Sequence, residues 1–205
     1  MMYVNEDRSA ALAAIAGAKN VAVKEEMAKH TTFRVGGEAD YFVSPESTEQ
    51  VKELIDYCKR EEIPYYILGN GSNLLVSDKG YEGVMIHLGS GFAGYTIMED
   101  GTVTVKAGTS LGAVSRAVSK AGLGDMSWAS GIPGSFGGAC VMNAGAYGGE
   151  MKQVLKSVTY LEEDGSIVTK DVEDLNLSYR NSIFKHSKRV VLEGTLALHP
   201  MTSEE

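Results

Sequence analysis

The sequence predicts an α+β fold in two units, a small α/β unit over residues 1–82 and a strand-rich α+β unit over 83–200. Three observations carry this. Residues 47–60 have the spacing of an amphipathic helix, and strand-like apolar runs flank them. Two later Asp-Gly pairs, Asp100-Gly101 and Asp164-Gly165, sit between alternating apolar residues as hairpin turns do. The sequence also closes on an apolar, β-branched run, "RVVLEGTLALHP", rather than on a helical pattern.

Taken in order, "MMYVNEDRSAALAAIAGAKN" reads as a short amphipathic helix. It lacks the basic start of a signal peptide, and Asn5-Glu6-Asp7-Arg8 interrupts it. "TTFRVGGEAD" is a polar, glycine-bearing approach to the strand-like "YFVS". Ser47 and Gln50 have capping-box spacing, and Val51, Leu54, Ile55 and Cys58 repeat at helical intervals. Strand signals follow at 63–68, at "LLVSD" (74–78) and at 84–88. A hairpin around Asp100-Gly101 leads to a helix with Thr109 or Ser110 as N-cap and Gly122 as C-cap. After a second hairpin, "DVEDLNLSYRNSIFKHSK" reads as loop. Residues 201–205 are expected to form a disordered tail.

Of the 205 residues, 43% are hydrophobic and 22% charged, as in ordinary globular proteins. The net charge is −8, and the densest basic group is only Lys185, Lys188 and Arg189. That argues against nucleic acid as a partner, because such binding neutralises phosphates with Lys and Arg. A nucleotide held by backbone N–H groups stays open. The two cysteines, Cys58 and Cys140, form no CxxC pair and suit buried thiols in a reducing compartment. The four histidines lack zinc-type spacing, so no metal is expected. No apolar run reaches the roughly 20 residues of a membrane span, so a cytoplasmic protein without a membrane partner is expected.

Glycine is abundant, 24 residues against 4 prolines, and concentrates in two clusters. The first is Gly69-Asn70-Gly71-Ser72-Asn73, between two strand-like runs. No helix signal follows, and no Gly-Lys-Ser/Thr is present, so neither standard phosphate fingerprint applies. What remains is a strand–loop–strand nest able to turn N–H groups towards a pyrophosphate, or a plain tight turn. The second cluster is "GIPGSFGGACVMNAGAYGGE" (131–150). Gly131, Gly134, Gly137 and Gly138 recur every three or four residues, which bares one side of a helix or turn to a flat ligand or to another backbone. Ser135, Asn143 and Tyr147 add polar groups and a ring. Close packing on a sheet is the alternative.

"LGNGSNLLVSD" (68–78), "GIPGSFGGACVMNAGAYGGE" (131–150), "SYRNSIFK" (178–185) and "TFRVGGEADYF" (32–42) resemble the UDP-N-acetylenolpyruvoylglucosamine reductase family, in combination and in order, from about Ala28 to His199. The resemblance implies a two-domain FAD-binding fold of the vanillyl-alcohol-oxidase / p-cresol methylhydroxylase type, with FAD held between the domains. It implies cofactor contacts from Leu68, Gly69, Asn70, Gly71, Ser72, Asn73 and Leu74. In the second cluster it implies contacts from Gly131, Ile132, Pro133, Gly134, Ser135, Gly137, Gly138, Ala139, Asn143, Gly145 and Tyr147. Non-covalent FAD is expected, because no His or Cys lies within Gly69–Asn73.

The implied reaction uses NADPH to reduce the flavin and delivers hydride to a UDP-sugar enolpyruvyl ether, in peptidoglycan precursor synthesis. Arg180 matches the arginine that stabilises charge developing on the substrate carboxylate. Tyr147 and Tyr179 are placed beside it as substrate contacts. Family members carry a third, C-terminal domain with the proton-donating serine. The match here stops before it, so a crippled reaction is expected, and a dimer through the surface that domain would cover. Another non-covalent flavin oxidase or dehydrogenase of this fold, or a non-catalytic flavin-nucleotide module, remains the alternative.

Overall fold

A computed structural model describes residues 6–201, in two compact units, Met1–Gly91 and Phe92–Glu205. The division falls after Gly91 rather than between 82 and 83, because the strand Tyr81–His87 belongs to the first unit's sheet. The expected tail lies outside the described residues except for Met201, whose N–H donates to Gly122 O at 2.8 Å.

The first unit runs α1 (Glu6–Ala16), β1 (Val21–Glu26), β2 (Glu38–Val43), α2 (Thr48–Arg60), β3 (Tyr65–Leu68) and β4 (Tyr81–His87). Its sheet has the order β1-β2-β4-β3, with β1 antiparallel to β2, and with β2 and β3 both parallel to β4. α2 begins at Ser47, whose hydroxyl accepts the Gln50 N–H at 3.3 Å. The return bond goes one residue upstream of the cap, from Glu46 N–H to Gln50 Oε1 at 2.7 Å. The helix buries Val51, Leu54, Ile55 and Cys58. A second cluster, Met27, Ala39, Phe42, Leu68, Val76 and Met85, forms a core.

Leu74–Asp78 is not the strand its apolar residues suggested. Residues 69–80 are one irregular loop. β3 and β4 are adjacent and parallel, so the chain between them must cross over rather than turn back.

The second unit runs β5 (Tyr95–Ile97), β6 (Thr102–Lys106), α3 (Leu111–Lys120), α4 (Phe136–Met142), β7 (Gly145–Ala146), β8 (Gly149–Glu150), α5 (Met151–Val154), β9 (Leu155–Leu161), β10 (Ile167–Asp171) and β11 (Val190–Ala197). Its antiparallel sheet has the order β10-β9-β11-β6-β5. Both Asp-Gly turns close hairpins, β5–β6 and β9–β10, with Gly101 and Gly165 at positive φ. α4 packs on this sheet through Phe136, whose ring lies over Gly194; a Cβ there would come within 2.7 Å of it.

Cys58 and Cys140 are free and fully buried, one in each unit. Burial pushes the Cys58 thiol up to about 12 and raises Cys140 as well, because a thiolate there would lose its hydration. Both thiols are therefore expected to stay silent towards an aromatic disulfide reagent at pH 8 in the folded chain. Two should appear when denaturant is added, and a fast-reacting thiol in the native protein would contradict this burial.

Candidate functional site

The first unit contains a cavity of about 450 Å³ lined by Lys29, His30, Thr31, Thr32, Arg34, Gly69, Asn70 and His87. In a chain of net charge −8, four of these eight side chains are basic and none is a carboxylate. Two segments build it. One is the 3₁₀ turn Met27–His30 and the chain after it; the other is the β3–β4 crossover. They are joined where the Thr32 N–H donates to Gly71 O at 3.2 Å. Gly71 sits at φ +60, and a Cβ on it would lie 1.9 Å from His30 O, so only glycine allows this approach.

The crossover leaves donors uncommitted. Among the described residues, no acceptor meets the backbone N–H of Asn70, Ser72 or Asn73. These are closely spaced donors in a glycine-bearing loop, and Asn70 lies beside the basic side chains of the cavity, an arrangement compatible with an anion nest. The side chains of Leu68 and Leu74, the two ends of the expected cofactor segment, pack into and against the core cluster. Arg34 lines the cavity at φ +54, and Asp40, one of its possible partners, is paired with Lys24 at 2.5 Å.

In the second unit the 131–150 glycines divide by role. Gly137 packs inward, where a Cβ would lie 2.9 Å from the Ala107 Cβ, and Gly149 lies against the Trp128 ring. Gly145 is pressed against Gly149 O, and Ala139 is buried. By contrast, a Cβ on Gly131 or Gly148 would meet nothing within 4 Å, and one on Gly138 only Ser135 Oγ. Ile132 is half-buried, Pro133 is exposed, and Gly134 O accepts the Leu111 N–H. At the start of α4, the N–H groups of Phe136, Gly137 and Gly138 are all taken, by Thr109 O, Ala107 O and Ser135 Oγ. Bare backbone is available here, but the first donors of α4 are not.

Asn143 does different work from the expected cofactor contact. It is buried, ends α4 in the left-handed conformation, and its side chain is fully engaged. Nδ2 donates to Glu150 Oε2 at 3.0 Å and to Ser178 O at 3.1 Å, and Oδ1 accepts the Lys152 N–H at 2.9 Å. It thereby ties two projecting turns to one helix end. One is the β7–β8 hairpin, whose two-residue loop Tyr147-Gly148 has φ +51 and +85, as in a type I′ turn. The other is the Ser178–Asn181 turn, with Tyr179 and Arg180 at its tip. Ser182 adds a second tie, donating to Val141 O at 2.7 Å.

The tips are open. Tyr147 is 98% exposed and Tyr179 87%. The Arg180 guanidinium stands 5.7 Å from the Tyr179 ring centre, and no carboxylate among the described residues pairs with it. Among the described residues, eight non-glycine residues have positive φ, and Arg34, Asn143, Tyr147 and Arg180 are four of them. Strain of this kind gathers where a site requires a particular presentation. Sequence reasoning missed His30, His87, Lys29 and the two threonines; Lys29, His30, Thr31 and Thr32 had one signal, the polar run just before Arg34-Val35-Gly36, and His87, at the end of β4, had none.

A donor-rich crossover beside a basic cavity in one unit, with bare glycine backbone and an unpaired arginine in the other, defines a nucleotide-cofactor-binding protein of α+β class. Its relatives agree. The chain belongs to the FAD binding domain family, whose model matches residues 39–171. It is 41% identical over 187 residues to the UDP-N-acetylenolpyruvoylglucosamine reductase of Syntrophomonas wolfei, covering 91% of this chain and 62% of that one. The crystal structure of the corresponding reductase from Thermus caldophilus superposes with a TM-score of 0.73 at 33% identity, over 90% of this chain and 63% of that one. p-Cresol methylhydroxylase shares the fold, with a TM-score of 0.72 at 16% identity over 97% of this chain and 44% of that one. The chain thus spans about three-fifths of the length of the curated relatives it matches.

Asn143→Ala should cost about 2–3 kcal/mol of stability in denaturant unfolding, because it leaves buried partners unmet. Ser182→Ala should cost less, about 1 kcal/mol. Equal, negligible losses would mean that the two turns are held by other contacts.

Proposed function

We propose that this chain is the FAD-holding and carboxylate-orienting part of a reductase that converts UDP-N-acetylglucosamine enolpyruvate to UDP-N-acetylmuramate with NADPH. The observation that carries it is the pair of complementary anion sites: the uncommitted N–H groups of Asn70, Ser72 and Asn73, and the unpaired Arg180. Bound FAD supplies two-electron chemistry between a nicotinamide and an acceptor. The crossover loop orients the cofactor's diphosphate with backbone donors. The bare backbone at Gly131, Gly138 and Gly148 admits a flat ring system without side-chain interference.

Arg180 meets the substrate carboxylate with a planar, permanently charged fork. As hydride adds to the enolpyruvyl double bond, negative charge moves onto that carboxylate, and a fixed cation lowers the barrier. Tyr179, beneath the guanidinium, restricts its rotamers, and Tyr147 offers a ring on the substrate side. The resemblance puts the proton donor in the part of the relatives that this chain does not match. Such an enzyme works on cytoplasmic cell-wall precursors and so bears on cell shape and division.

The test is an absorbance spectrum of the purified chain before and after anaerobic NADPH. A flavin spectrum that bleaches is expected; a folded chain that takes up no FAD would sink the reading. Arg180→Ala should leave bleaching unchanged, because it acts on the acceptor. It should slow reoxidation by the enolpyruvyl substrate about 10²–10³-fold wherever the parent reoxidises.

A further inference from the structure

The floor of the first unit's cavity is an aromatic stack that the reading above does not use. His30 stacks on Phe42 with ring centres 4.0 Å apart and 26° between planes. His87 packs on the same ring at 5.2 Å, and the two imidazoles are 6.2 Å apart. Both line the cavity. Each has one ring nitrogen occupied by the protein. His30 Nε2 meets Glu25 Oε1 at 2.9 Å, and His87 Nδ1 faces Ser44 Oγ at 3.4 Å. His30 Nδ1 and His87 Nε2 remain.

We propose that His30 and His87 are ligands of the phosphate groups seated in this cavity, and that seating a nucleotide diphosphate draws a proton onto the pair. This rests on the FAD-holding reading and adds to it which side chains grip the diphosphate and what their grip depends on.

The charges around the pair favour this. From β1, Glu25 places a carboxylate oxygen 2.9 Å from His30 Nε2. Lys29 lies 3.8 Å from Glu25 and 3.6 Å from Glu26, and Arg34 lines the same cavity. Ser44, just after β2, is neutral, and β4 contributes His87 itself. In the empty cavity, a second positive charge on the pair is opposed by the first and by partial burial. Those two causes, burial first, hold His87 below the ordinary imidazole value. A diphosphate supplies the missing counter-charge, and a protonated imidazole donates from both nitrogens where a neutral one donates from one.

The sign follows from linkage. The bound state holds more protons than the free state, so binding tightens as pH falls. The window runs from the ligand-bound value down to the lowered value of the empty site, and affinity changes at most tenfold per pH unit for each proton taken up. The same lowered histidine makes the ligand-free fold less stable as pH drops below about 6.5, because the unfolded chain then binds the extra proton. Ligand offsets that loss.

The test is titration calorimetry of the flavin-stripped chain with FAD and, separately, with ADP, at pH 6.5 and 8.0, in buffers of different ionisation heat. Binding about tenfold tighter at pH 6.5 is expected for both ligands, with proton uptake at pH 7. His30→Gln and His87→Gln should each flatten the pH dependence while keeping the wild-type circular dichroism. FAD binding that is independent of pH, without proton uptake, would overturn the proposal and leave the FAD reading standing. Variants that keep the wild-type slope would overturn it too. Failure of both ligands to bind at either pH would remove the FAD reading as well. Should a variant not fold, proton uptake by the wild-type chain decides the question alone.

Discussion

The parallel pairing of β3 with β4 is the constraint from which the first unit's site follows. Two consecutive strands that run side by side in the same direction need a connection that carries the chain back along its own length. A helix is the usual solution, and it satisfies its own N–H groups internally. Here residues 69–80 make the return without one. A non-helical crossover leaves donors that must be met some other way. The Gly80 N–H finds Ser77 O, but among the described residues those of Asn70, Ser72 and Asn73 meet no acceptor. The glycine at 71 lets this loop press onto the His30 carbonyl, which brings Asn70 into the same cavity wall as the histidines and Arg34. Strand order thus leaves open backbone donors without a lysine-bearing phosphate motif, which is what the proposed cofactor site uses.

In the second unit the same problem of backbone satisfaction has the opposite solution. The first donors of α4 are closed off by Thr109, Ala107 and Ser135, and the far end of the helix is closed by Asn143. A single amide there joins the helix end, the β7–β8 hairpin and the 178–181 turn. Both ends of α4 are satisfied, and the exposed tips carry Tyr147, Tyr179 and Arg180. A buried amide with all its hydrogen bonds made is costly to disturb, so it fixes where the tips project.

Local features were legible in the sequence because their causes are local. Asp-Gly at positive φ specifies a hairpin, Ser47 with Gln50 specifies a helix start, and the 3.6-residue repeat specifies the face of α2. "LLVSD" misled because apolar content was taken for strand. Val76 is buried under the crossover and Leu75 is exposed, a pattern set by strand order that no short window contains. The unit boundary moved for the same reason, since β4, from Tyr81, completes a sheet begun at Val21. At the site, the glycine clusters and Arg180 could be read from composition and motif. The histidines could not, because His30 and His87 meet only through Phe42. Asn143 was read as a ligand contact since its side chain is polar; only its partners reveal a structural amide.

The acidic chain and the anionic ligands proposed for it pose an electrostatic problem that the two proposed sites would meet differently. At physiological salt, fields from charges beyond about 8 Å are largely screened, so the net charge of −8 governs encounter more than binding. What holds an anion is set at contact distance. In the proposed cofactor cavity that would be backbone dipoles, whose strength does not depend on pH, together with imidazoles, whose strength does. On the turn it is a guanidinium that stays charged at every pH the protein meets. A cofactor that remains bound through many turnovers suits the first kind of site, since many moderate donors in a concave wall give slow release. A substrate carboxylate that must arrive, react and leave suits the second, where one strong, exposed charge acts most when negative charge has built up.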